Sequence, residues 1–163
     1  MAIVVSDTSP VRALSHLHLL HLLPTLFGEV LIPPAVQQEL AAPSRHFPAF
    51  DATTAPEMTI RAPRDRAKVA FFRQTLGPGE SEALALALET SASAILVDER
   101  KARVTAVAEG LVPLGVIAVL LSAKQKGLVP TVLPLLDRLT AEINFFVSSD
   151  LRIQTAFRAG EAP

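Results

Sequence analysis

The chain has 163 residues, half of them hydrophobic, and its mean hydropathy of +0.38 excludes a disordered or linker protein. Fifteen Lys and Arg residues against sixteen Asp and Glu residues give a net charge of −1, which argues against binding to nucleic acid through bulk charge. The absence of Cys excludes disulfides, thiolate metal sites and cysteine nucleophiles, and without Trp or Tyr we do not expect a wide aromatic platform for bases.

The patterning predicts one domain over residues 1–163, located in the cytoplasm and without membrane contact. The first residues lack the basic flank of a signal peptide, and Asp7 interrupts their apolar run early. The longest apolar stretch, residues 111–121, is far shorter than the roughly 20 residues of a membrane-spanning helix.

Short apolar runs alternate with helical segments along the whole chain. In chain order, we predict a strand at 3–5, a helix from 8 through the Leu-rich segment to 23, a strand at 29–32, a helix at 35–42, a loop at 43–56, a strand at 58–60, helices at 64–76 and 80–89, a strand at 94–97, a helix at 100–109, a strand at 112–115, and two or three helices within 116–126, 132–143 and 149–158. Such alternation is typical of right-handed βαβ units. It predicts a three-layer α/β/α fold around a mainly parallel sheet of four or five strands.

Acidic residues follow or face the carboxyl ends of several predicted strands, where the groove of an open parallel sheet lies. Asp7 ends the first strand and Asp98 the fourth. Glu39 lies one or two turns into its predicted helix, and Glu80 or Glu82 lies at the start of the helix predicted at 80–89. Any single one could be a cap or turn residue. Four carboxylates at one edge would repel each other unless a cation neutralised them, and oxygen ligands favour Mg²⁺ or Mn²⁺.

Four sequence blocks then resemble those of the PIN domain family. They are VVSDTSP at 4–10, IPPAVQQEL at 32–40, GESEALALA at 79–87 and LVDERKAR at 96–103. The third block, together with residues 110–128, is similar to the branch of PIN-like proteins related to VapC-type toxins, which carries G-E-x-E-A. The resemblance covers nearly the whole chain, with the blocks in the same order.

This resemblance implies a PIN-like fold and a small metal-dependent ribonuclease that uses Mg²⁺ or Mn²⁺. It also implies an RNA substrate and the role of a toxin that a small antitoxin protein neutralises. Carried over by position, the catalytic and metal-binding residues are Asp7, Glu39, Glu82 and Asp98, and Ser9 supplies a hydroxyl that helps to order the site.

Two positions leave an alternative open, because Glu80 lies close to Glu82 and Glu99 directly follows Asp98. We favour Glu82, since it precedes Ala as in the family's third block, and Asp98, since it ends the strand. Basic residues just past the fourth block are candidates for holding RNA phosphates: Arg100, Lys101 and Arg103.

Two other function classes are weighed against the nuclease. A phosphotransfer protein with Asp7 as nucleophile is disfavoured, because dehalogenase-type phosphatases need a second Asp where this chain has Ser9. A catalytically inactive PIN scaffold that binds RNA or regulates remains the alternative. The apolar content of the Leu-rich helices further predicts a homodimer or a complex with a small partner.

Overall fold

The computed structural model describes residues 2–163, in which a five-stranded parallel sheet has helices on both faces. The strands are β1 (Ile3–Ser6), β2 (Glu29–Ile32), β3 (Thr59–Ile60), β4 (Ala94–Leu96) and β5 (Pro113–Leu114). Each coincides with a predicted strand to within two residues at either end. The predicted three-layer α/β/α fold is therefore confirmed.

Nine helices lie within the described residues. They are α1 (Thr8–His16), α2 (Leu22–Phe27), α3 (Pro34–Ala41), α4 (Arg66–Arg73), α5 (Pro78–Glu89), α6 (Arg100–Ala108), α7 (Val116–Gln125), α8 (Leu133–Ile143) and α9 (Ser149–Ala159). The predicted loop at 43–56 contains only one 3₁₀ turn, Ala52–Thr54. No helix in residues 2–163 has both the length and the apolar character needed to cross a bilayer.

The sheet order is β3-β2-β1-β4-β5, with every pair of neighbours parallel. The chain builds outward from β1 through β2 to β3, then returns to place β4 on the other side of β1. The order thus reverses between β1 and β4, and the crevice beyond their carboxyl ends is where open α/β sheets bind ligands.

Alternating strand residues build a core on each face of the sheet. Val4, Ile32 and Leu96 pack with side chains of α1, α3, α7 and α8, whereas Val5 and Ile95 pack with those of α4, α5 and α6. The three central strands β1, β2 and β4 carry consecutive buried apolar residues without alternation, because both of their faces are covered. This double packing fixes the strand ends, and with them the residues that follow.

The single helix predicted from residue 8 to 23 is wrong, because the segment divides into α1 and α2. His18 adopts a left-handed conformation (φ 57°), and the amide of Leu19 donates to the carbonyl of Leu14 at 2.8 Å. These features terminate α1 as in a Schellman motif. The Leu periodicity continues through the break because Leu17, Leu20 and Leu23 are all buried in the core that contains Val4.

Candidate active site

Asp7 and Asp98 follow two neighbouring strands, β1 and β4, at the edge of the sheet where the strand order reverses. Asp7 follows β1, and its amide donates to the carbonyl of Leu96 in β4 at 2.9 Å. The parallel pairing therefore places the carboxyl ends of β1 and β4 next to each other at one edge of the sheet. Asp7 is only 4% exposed. Asp7 Oδ1 and Asp98 Oδ2 are both buried without a hydrogen-bond partner. Buried polar atoms normally have a partner, so these two oxygens indicate a ligand site.

Burial raises the pKa of both carboxyl groups. It raises the pKa of Asp7 to about 7, with the backbone amide of Thr8 opposing the shift and the charges of Glu80, Glu39 and Asp98 adding to it. Burial also raises the pKa of Asp98 to about 6, although the amide of Val116 and the charge of Arg103 oppose this. Without a cation the two carboxylates therefore gain protons close to neutral pH.

Glu39, on α3, is held at this edge by both of its carboxylate oxygens. The Thr8 hydroxyl donates to Oε2, and the Gly79 amide donates to Oε1 at 3.0 Å. A Cβ atom at position 79 would lie 2.5 Å from Oε2, so the carboxylate occupies the space that glycine leaves. Arg12 fixes the end of the helix, because its guanidinium donates to the Glu39 carbonyl at 2.8 Å.

Glu80 lies in the first turn of α5 and contributes its charge to the same site. Its Oε2 accepts from the Gly77 amide at 3.3 Å. Burial raises the pKa of Glu80, and the charges of Glu99 and Glu39 add to the rise. Of the acidic neighbours that raise the pKa of Asp7, Glu80 acts most strongly. The carboxylate is therefore electrostatically part of the cluster.

Glu82, which the sequence pattern favours over Glu80, makes contacts of a different kind. Its Oε1 pairs with the guanidinium of Arg66 at 3.0 Å, and its Oε2 accepts from the Ala35 amide at 2.9 Å. Both oxygens are thus engaged in an ion pair to α4 and in capping the N-terminus of α3. Two residues along a helix amount to about 200° of rotation, which turns Glu82 away from Glu80.

The remaining predicted residues surround Asp98. Glu99 caps α6, because its Oε2 accepts from the Ala102 amide at 2.9 Å, and Ser9 is exposed on the same groove. Arg103 donates to the carbonyl of Val97 at 3.1 Å and lies beside Asp98. Lys101 is close enough to lower the pKa of Glu80. Arg100 is exposed and does not line the groove.

A groove of about 640 Å³ opens next to Asp98. Three arginines from different parts of the chain line it, namely Arg12, Arg103 and Arg158, together with three phenylalanines, namely Phe47, Phe145 and Phe146. The guanidinium of Arg12 lies 5.2 Å from the ring centre of Phe47. A carboxylate cluster beside a cationic and aromatic groove can accommodate a phosphodiester chain.

The residues present fit a hard divalent cation, although they do not yet enclose one. Within residues 2–163, no three acidic or His side chains are close enough together to ligate one ion as they stand. The donors at the strand ends are nevertheless all carboxylate oxygens, and two of them are buried without a partner. Burial raises the pKa of both Asp7 and Asp98, and repulsion by neighbouring carboxylates raises the pKa of Asp7 further. This donor set suits Mg²⁺ or Mn²⁺.

Several residues of the site carry no recognisable pattern in the sequence. The Thr8 hydroxyl, adjacent to the proposed Ser9, is the one that binds Glu39. Gly115 leaves room for Asp98, because a Cβ there would lie 2.6 Å from Oδ1. Phe146 and Arg158 lie about 50 and 60 residues after Asp98 and reach the groove only through the packing of α8 and α9.

Comparison with known proteins agrees with this geometry. No curated protein matches the chain. A family model, DUF3368, described as a PIN domain, matches residues 3–161. Because the match spans nearly the whole chain, the protein belongs to the PIN domain family, whose members are in general nucleases.

Proposed function

We propose that the protein is a metal-dependent endoribonuclease that hydrolyses RNA phosphodiester bonds at an acidic Mg²⁺ or Mn²⁺ site. The observation that carries this proposal is the pair of buried, unpartnered oxygens, Asp7 Oδ1 and Asp98 Oδ2, at the switch point of the sheet. A protein does not leave two carboxylate oxygens buried and unpaired without cost, so a ligand that neutralises them is expected.

A divalent cation held by such carboxylates supplies an activated water and neutralises charge on the phosphate. Asp7 and Asp98 offer the two unpartnered oxygens from the rigid ends of β1 and β4. Glu39 completes the site from α3, with Thr8 and Gly79 fixing its carboxylate. Of the basic residues proposed to hold the RNA phosphates, Arg103 has the strongest support, because it lies at both Asp98 and the groove.

We propose Glu80, rather than Glu82, as the fourth acidic residue. Glu80 interacts with Asp7 electrostatically, whereas both oxygens of Glu82 bind Arg66 and the α3 N-terminus. Glu80→Gln should therefore weaken Mn²⁺ binding and cleavage with little effect on folding. Glu82→Gln should chiefly lower the unfolding free energy, by about 1–3 kcal/mol, because a buried charge-assisted contact is lost.

Isothermal titration with Mn²⁺ and urea denaturation distinguish the two residues. Metal affinity that falls in the Glu82→Gln protein and not in the Glu80→Gln protein would restore Glu82 as the ligand. The two substitutions remove the same charge from the same helix, so each is the control for the other.

The central experiment is cleavage of labelled single-stranded RNA by the wild-type chain with Mn²⁺ and with EDTA. We expect cleavage only with the metal, and loss of cleavage in Asp7→Asn. Asp137→Asn is the matched control, since Asp137 pairs with Arg152 on the surface, away from the groove. RNA binding without cleavage by the metal-loaded wild type would instead favour a catalytically inactive RNA-binding module.

The role of toxin in a toxin–antitoxin pair, and the homodimer, are also proposed. Two exposed apolar patches support a protein partner or a second copy of the chain. One comprises Val104, Val107 and Val112 around α6, and the other comprises Ile153 and Phe157 on α9. Growth arrest on expression, relieved by the product of a neighbouring gene, would support the toxin role. Normal growth at high expression of active protein would contradict it.

A further inference from the structure

A phenylalanine stands open to solvent at the groove beside Asp98. Phe146 is 84% exposed, although burying a phenyl ring is strongly favourable. It lines the groove together with Phe47 and Phe145, which are both half-buried. Phe157 is also exposed, at 88%, but it lies outside the groove. The groove therefore includes an aromatic face that nothing in the described residues covers.

The backbone on both sides of Phe146 is fixed. Asn144 ends α8 in a left-handed conformation (φ 55°), and the amide of Phe145 donates to the Leu139 carbonyl at 3.1 Å. Phe145 packs against the core on the face of the sheet that carries Val4 and Leu96. On the other side, the Ser148 hydroxyl accepts from the Leu151 amide and so caps α9. Because the backbone between α8 and α9 is short and fixed at both ends, little backbone conformational entropy is lost when a ligand stacks on the ring.

The charges around the ring match a phosphodiester chain rather than an apolar partner. The guanidinium groups of Arg12 and Arg103 already donate to backbone carbonyls, those of Glu39 and Val97 respectively. Arg158, at the end of α9, is exposed and forms no ion pair with any carboxylate in residues 2–163. An exposed arginine whose guanidinium has no carboxylate partner is well suited to bind a phosphate.

We propose that this groove is a nucleotide subsite, in which an unpaired base stacks on Phe146 and a neighbouring phosphate binds Arg158. The proposal rests on the proposed nuclease function, because the groove begins at Asp98. It also specifies the substrate as a segment with free bases. In a duplex each base face is covered by the next base pair, so that the ring of Phe146 has nothing to stack on.

The test measures binding in the Asp7→Asn background, so that cleavage does not intervene. The probes are fluorescein-labelled ten-nucleotide RNAs, each with one 2-aminopurine at a different position. Adding Phe146→Ala should raise Kd about 5- to 150-fold and remove the quenching of 2-aminopurine, because base–aromatic stacking is lost. Phe146→Trp should retain the quenching. Phe71→Ala, which removes an exposed ring on α4 outside the groove, should leave both readouts unchanged.

The charge is tested in the same way. Arg158→Ala should weaken binding and reduce the slope of log Kd against log salt by about 1, the value expected for the loss of one phosphate contact. Lys126→Ala, at the end of α7 far from the groove, should change neither the affinity nor the slope. The same RNA annealed to its complement should bind with no dependence on Phe146. A single-stranded affinity that is unchanged by Phe146→Ala, or lowered equally by Phe71→Ala, would overturn the subsite.

The two proposals fail in different ways. Wild-type protein that does not cleave with Mn²⁺, while RNA binding still depends on Phe146, would remove the nuclease function and keep the subsite. Wild-type protein that cleaves, while Phe146→Ala changes neither Kd nor KM, would keep the nuclease and remove the subsite.

Discussion

Replacing Asp7 by Asn should make the metal-free protein more stable, and more so as the pH rises. In the folded protein the pKa of Asp7 is about 7, against an ordinary value of 3.8. Between these values the folded state holds a proton that the unfolded chain has released. Stability therefore falls as the pH rises from about 4 to about 7, and above that range the carboxylate is ionised in both states.

The size of the effect follows from the pKa difference of about three. One pKa unit corresponds to about 1.4 kcal/mol, so ionised Asp7 costs the folded state up to about 4 kcal/mol at pH 8. Asparagine has nearly the same shape and no charge. The gain in unfolding free energy from Asp7→Asn should accordingly grow by about 3 kcal/mol between pH 5 and pH 8.

Urea denaturation in EDTA at pH 5, 6, 7 and 8 measures this difference directly. Comparing the variant with wild type at each pH cancels any constant change in packing. Asp137→Asn is the control, because the hydrogen bond from Arg152 lowers the pKa of Asp137, whose titration therefore lies below this range. A difference between Asp7→Asn and wild type that stays flat from pH 5 to pH 8 would refute the raised pKa, and with it the electrostatic argument for a cation site.

Three further outcomes are expected. Gly115→Ala should reduce cleavage at least tenfold while costing only about 1 kcal/mol of stability, because its Cβ displaces the Asp98 carboxylate. Gly77→Ala is the control and should cleave normally, because the space around Gly77 is open. An equal loss of cleavage in the two variants would contradict this prediction. Mn²⁺ at a hundred times its Kd should stabilise the wild type by about 3 kcal/mol in thermal melts and leave the stability of Asp7→Asn unchanged. Equal stabilisation of both proteins by Mn²⁺ would contradict the site. Light scattering should detect either a dimer or a complex with a partner, and Phe157→Ser should weaken that assembly. A wild-type protein that stays monomeric at high concentration and forms no complex with the neighbouring gene product would exclude both the dimer and the partner complex.

Strand positions and the acidic edge could be predicted from the sequence because both depend on local patterns. Uninterrupted apolar runs such as residues 3–5 and 94–97 are typical of strands covered on both faces. Asp98 follows the second run directly, and Asp7 follows the first after one Ser. The parallel sheet then requires their side chains to lie at one edge. The end of α1 could not be foreseen, because His18 carries no glycine-like signal for a left-handed residue.

The partners of each carboxylate depended on tertiary structure. Glu80 and Glu82 are almost equivalent in the sequence, and only the packing of α4 against α5 brings Arg66 to Glu82. The proposed base-stacking residue, Phe146, had no pattern to identify it, because its exposure follows from how α8 and α9 meet.

The sequence by itself thus determined the layers of the fold and the edge of the sheet that carries the acids. Periodicity and strand ends are properties of neighbouring residues, and a short window of sequence contains them. Which carboxylates remain unpartnered, and which rings and arginines face them, was decided only by the tertiary structure. These properties arise between residues far apart in the chain, where burial and charge act through space.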